Sequence, residues 1–137
     1  MASSRRRARI AALQTLYEWD TVGHAPERTL ERLTEEERLS PEAAAFAREL
    51  VEGVLAHLER IDAIIAKAAP QWPVSQLAPI DRNILRIAIN EIVINNRTPI
   101  RAAINEAVEL AKSFGSDNSA KFINGVLGSV SLSVTRG

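Results

Sequence analysis

SPEAAAFARELVEGVLAHLERIDAII, residues 40–65, settles what kind of protein this is. Ser40, Pro41 and Glu42 are a cap, a proline and an acid in the order that starts a helix. The apolar stripe that follows is Ala43, Phe46, Ala47, Leu50, Val51, Val54, Leu55 and Leu58. Its steps of three and four residues are those of a helix with one buried face. The pattern runs on through Ile61, Ile64 and Ile65, with a bend expected near Gly53 or His57.

The same punctuation recurs on both sides. Ser4 is placed to cap a first helix over roughly 5–20, with Ile10, Leu13, Leu16 and Tyr17 on its apolar side and Gly23 ending the turn after it. Pro26-Glu27 opens a short second helix carrying Leu30 and Leu33. Prolines 70, 73 and 79 interrupt the chain, so residues 70–79 form the expected joint between two helical halves. From Ile80 to Asn95 apolar residues cover most of the circumference, which predicts a central, nearly surrounded helix. Thr98-Pro99 starts another, bearing Ala103, Ile104, Ala107, Leu110, Ala111 and Phe114 and stopping at Gly115. Ser116 or Asp117 is placed to cap a last helix whose stripe is Phe122, Ile123, Val126, Leu127 and Val130. Phe114 and Phe122 therefore read as core. Gly125 reads as a close approach between helices, because glycine inside a helix is otherwise unfavourable. Asn105 and Asn124 read as partners for buried backbone groups. No alternating strand pattern, internal repeat or low-complexity tract occurs. The expectation is an all-α protein.

Bulk properties narrow the function. The 137 residues suit one domain, 1–137. Lys plus Arg equals Asp plus Glu at 17 each, so any electrostatic role must be local. The absence of cysteine excludes disulfides and thiolate chemistry. Neither His24 nor His57 has a second histidine at ligand spacing, so no metal site and no cofactor is expected. Without strands, Gly-rich phosphate loops of the Walker or dinucleotide kind have no context, and no G-x-S-x-G elbow occurs. Glu35-Glu36-Glu37 reads as a solvated helix end. No apolar run is long enough to span a bilayer. Glu18 and Asp20 close the first apolar run too early for a secretion leader, so the cytoplasm is the expected location. Together these point to a binding protein, not an enzyme.

The one local charge feature is Arg5, Arg6, Arg7 and Arg9, with no acid before Glu18. A helix start carries partial positive charge and disfavours cations. Arg5 and Arg9 share a face, Arg7 and Gln14 another, and Arg6 stands above Leu13, so the end is expected to overhang the core. Guanidinium groups fork onto phosphate and stack on bases. Gln14 is placed to read a base edge, with Tyr17 a turn further on. That is the footprint expected for single-stranded nucleic acid.

RRRARIAALQTLYEWD at 5–20, IDRNILRIAINE at 80–91 and PIRAAINEAVELAKSFGSDNSAKFINGVL at 99–127 resemble the NusB family of bacterial transcription antitermination factors over essentially the whole chain. The resemblance implies about seven helices in two small bundles packed at an angle, and no catalysis. It implies a pairing with the ribosomal protein NusE, and binding of the pair to boxA-type leader RNA of ribosomal RNA operons. It also implies recruitment to an RNA polymerase antitermination complex. Carried over, Arg5, Arg6, Arg7, Arg9 and Gln14 would contact RNA. So would the loop before the last helix, here Ser116, Asp117, Asn118, Ser119 and Lys121. The NusE-facing positions are Tyr17, Asp81 and Arg82, with Glu91 nearby; an acid at 81 also simply complements the helix dipole. Asn118 stands where many relatives carry an acid, which predicts tighter RNA binding, and Asn90 replaces an aromatic. Two alternatives are an RNA-binding module like the N-terminal domain of ribosomal RNA cytosine methyltransferases, and a helical interaction module that forms a homodimer.

Overall fold

The computed structural model describes residues 3–134. Helix α1 spans Ser4–Val22. Its N-cap is Ser3, whose hydroxyl accepts from the Arg6 amide at 3.1 Å; the expected cap, Ser4, is the first helical residue. Gly23 ends α1 in the left-handed region at φ 73°, its amide donating to the Trp19 carbonyl. Helix α2 is Pro26–Glu36, and α3 is Pro41–Ala56, capped by the Ser40 hydroxyl on the Ala43 amide. The expected bend is a break at His57, after which α4 runs over Leu58–Ala68.

The proline-rich stretch contains a 3-10 turn, Val74–Gln76, and α5 starts with Pro79 and runs to Ile89. Its last turns widen into a π turn, Asn90–Asn95, closed by the Asn96 amide on the Glu91 carbonyl, with Asn96 at φ 60°. Helix α6 is Ile100–Phe114 and α7 is Ser119–Leu132. No strand occurs among the described residues.

Helix α5 is the centre. Every residue from Arg82 to Ile92 is buried. It packs on α1, α4, α6 and α7, while α1 also meets α2 and α3. One continuous core runs through Leu13, Leu16, Leu50, Val54, Ile61, Ile84, Leu85, Ile123 and Leu127. A smaller cluster of Ala8, Ala11, Leu30, Ala43 and Ala47 fills the contact between α1, α2 and α3.

Several local expectations need correction. Tyr17 and Phe114 are 39% and 38% exposed, because each lies at the edge of its stripe. Gly115 is extended (φ −92°), not left-handed; it is needed for space, since a Cβ there would sit 2.5 Å from the Ser119 side chain. Neither Ser116 nor Asp117 caps α7: Asn118 occupies the cap position without a side-chain bond, and the Ser119 hydroxyl accepts from the Ser116 amide at 2.9 Å. Gly125 is exposed with nothing near a notional Cβ, so it marks no helix crossing. The close approach is at Gly53, where a Cβ would meet the Asn90 side-chain oxygen at 2.6 Å. Asn105 and Asn124 are exposed and do not serve buried backbone.

Candidate nucleic-acid interface

The arginines at the start of α1 divide into two kinds. Arg9 lies inside the protein. Its guanidinium makes a two-pronged pair with Glu91, at 3.0 and 2.7 Å, and both side chains are almost wholly buried. Glu91 also accepts from the Thr98 hydroxyl at 2.8 Å, and Arg9 comes within 3.6 Å of Glu106. A buried cation of this kind is retained only with its anion in place. Arg9 has no face left for a phosphate, and Glu91 none for a protein partner. Both sequence assignments are corrected: they hold the π turn against α1.

Arg5, Arg6 and Arg7 face outward on fixed supports. Arg6 forks onto Glu106 of α6 at 3.1 and 2.8 Å with its side chain 44% exposed. This hydrogen bond raises the Arg6 pKa and holds the Glu106 carboxyl below its ordinary range, the bond with Arg6 outweighing the effect of burial. The Arg5 guanidinium lies 4.4 Å from the centre of the Phe46 ring, and Arg9 reaches the same ring from 5.2 Å. Arg7 donates to the Glu37 carbonyl. So the chain's own carboxylates neutralise two of the four charges. The unfavourable dipole position of Arg6 is offset by Glu106, which lies 100 residues away in sequence. Gln14 is half-buried in a small cleft that Arg7, Ile10 and Leu39 also line.

The loop before α7 is split too. Ser116, Asp117, Asn118 and Lys121 are exposed, whereas Ser119 is buried with its hydroxyl turned to Ser116, and its assignment is corrected. Lys121 borders a shallow shelf of about 440 Å³ with Phe122 and Trp72, and Trp72 is 56% exposed. Trp72 sits in the proline-rich stretch outside any helical stripe, so periodicity assigns it no role.

Of the positions assigned to a protein partner, Tyr17 is exposed and Asp81 partly so. Arg82 is buried: it bonds Asp20 at 2.8 Å and the carbonyls of Val74 and Leu77 at 3.1 and 3.0 Å, and so ties the proline-rich loop to α1. Its assignment is corrected to a structural one. Arg86 extends the network, gripping Asp62 at 2.9 Å and Asp20 at 3.2 Å. Burial pushes the Asp20 carboxyl up, but the bonds from Arg82 and Asn83 with the Arg86 charge leave it below its ordinary value. No cluster of three metal-ligating side chains occurs among the described residues, and no described helix is long and apolar enough to cross a membrane.

The family model of the NusB family matches residues 6–132 of this all-helical chain. The chain belongs to the NusB family. It is 54% identical over 132 residues to the transcription antitermination protein NusB of Roseiflexus sp. (strain RS-1), covering 95% of this chain and 93% of that protein. It is 53% identical over 131 residues to the NusB of Dehalococcoides mccartyi (strain ATCC BAA-2266 / KCTC 15142 / 195), covering 96% and 92%. These NusB relatives are antitermination proteins, a role without catalysis. The fold matches T. maritima NusB at a TM-score of 0.88 and 33% identity, covering 97% of this chain and 94% of that one. It also matches a chain in a crystal structure of antitermination factors NusB and NusE with dsRNA, at a TM-score of 0.88 and 29% identity, covering 98% and 100%. The all-α NusB fold is thus the observed one.

Proposed function

We propose that this chain is a transcription antitermination factor. Together with NusE it binds boxA-type single-stranded leader RNA of ribosomal RNA operons and helps RNA polymerase read through terminators. One observation carries the RNA reading: Arg5, Arg6 and Arg7 are presented together, each oriented by a different support, on a fold shared with a chain solved beside NusE and dsRNA. Pre-oriented guanidinium groups lose less freedom on meeting phosphate than free ones. Lys121 beside exposed Trp72 adds a cation and a stacking face of the sort single strands use. Tyr17 and Asp81 remain as the exposed candidates for the NusE side.

Each surface alone is modest, and joining two on one RNA multiplies their effect. Three phosphate contacts on a single strand give a log–log salt slope of about −2. The test is a gel shift of leader RNA with this protein, with NusE, and with both, including a duplex arm. The expected result is weak binding by each protein alone, tight binding by the pair, and loss of the shift with Arg5→Ala/Arg7→Ala. Equal binding by that variant would overturn the RNA assignment of this end. Light scattering with and without RNA reads self-association: a homodimer that hides the arginines dissociates when RNA binds.

A further inference from the structure

Another cleft shares no lining residue with the arginines at the start of α1. It is an opening of about 520 Å³ between α2 and α3, with Leu30, Val51 and Leu55 on its floor. Its origin is visible in the packing. The small cluster beneath α2 is mostly alanine, with Leu30 as its only large buried side chain, so α2 covers little of α3. Four exposed glutamates stand on the rim. Glu27, Glu31 and Glu35 recur every fourth residue along α2, about 6 Å apart, and Glu52 faces them from α3. Like charges at this spacing destabilise a helix unless something neutralises them. Arg32 pairs with Glu18 and Glu36, and Arg97 with Glu49, while Arg28 on α2 and Arg48 on α3 make no ion pair with the glutamates among the described residues. The rim glutamates have no ion pair among the described residues, and Arg48 is the one cation lining the cleft.

We infer that this cleft is a docking site for a basic amphipathic helix of a partner protein. Apolar side chains on one face would fill the floor, and Lys or Arg flanking them at four-residue spacing would meet the glutamate row. The apolar floor supplies affinity, and the acidic ridge selects a basic partner and sets its direction. The site is independent of the RNA-binding reading, because it shares no residue with that end.

The probe is a synthetic helical peptide of about 14 leucines and lysines, with leucines at i, i+3, i+4 and i+7. Its counterpart carries glutamate for lysine. Amide chemical-shift mapping on the full chain should place the leucine–lysine peptide over α2 and α3, and the glutamate peptide should not bind. Glu31→Lys/Glu35→Lys should weaken binding about tenfold or more. Arg48→Glu should strengthen it, and Glu59→Lys on α4 should leave it unchanged. RNA binding with NusE should survive all three. No binding, shifts that map elsewhere, equal binding of the glutamate peptide, or indifference to the charge reversals would each overturn the inference.

Discussion

Replacing Arg9 with methionine separates structure from recognition at the start of α1. The variant leaves the Glu91 carboxylate buried, with the Thr98 hydroxyl still donating to it. Removing one member of a buried pair costs about 3–5 kcal/mol, because an uncompensated charge stays behind. A domain of this size has roughly 5–15 kcal/mol in hand, so it still folds but melts early. At about 3–4 °C per kcal/mol, the melting temperature should fall by about 10–20 °C. Thermal and urea denaturation followed by circular dichroism read this directly. The double variant Arg9→Met/Glu91→Leu should recover much of the loss, since neither charge is then buried alone. Measured well below its melting point, Arg9→Met should bind RNA with an unchanged salt slope. If it loses less than about 1 kcal/mol of stability and its slope flattens, then Arg9 faces RNA and the division of the cluster is wrong.

Acid should loosen both ends of α1. The Glu106 and Asp20 carboxyls are held below their ordinary values in the folded protein, so both add stability above the unfolded pKa and lose it as pH falls through the folded one. Stability should decline below about pH 4.5, and less steeply in Glu106→Gln/Asp20→Asn, as read by denaturation across pH. Gly53→Ala should destabilise by about 1–2 kcal/mol despite alanine's better helix propensity, because the new methyl meets Asn90; paired with Asn90→Ala it should turn neutral or stabilising. Asn118→Asp should weaken RNA binding at low salt by adding an anion to an exposed loop, and tighter binding would remove that loop from the RNA surface.

Most of the fold was legible because its signals are local. Ser40-Pro41-Glu42, Gly23 and Pro26 act within one turn of themselves, and the stripes of α3 and α7 count their own periods. The π turn was not legible: Asn90–Asn95 contains no breaker, and its geometry answers to the buried Glu91. The site was half legible. The wheel rightly put Arg5 and Arg9 on one face, and both do reach Phe46. It could not show that Glu91, 82 residues on, neutralises Arg9, nor that Asp20 claims Arg82 across 62 residues. Long-range ion pairs leave no periodicity, so a buried arginine reads as a free one.

The outward arginines carry the account, and the salt dependence of their binding measures them. Titrate leader RNA into the complex with NusE at several salt concentrations, for the parent chain and for Arg5→Ala/Arg7→Ala. Two lost phosphate contacts should flatten the slope by about 1.4 while helicity and NusE binding stay intact. An unchanged slope with unchanged affinity would mean that the RNA lies elsewhere.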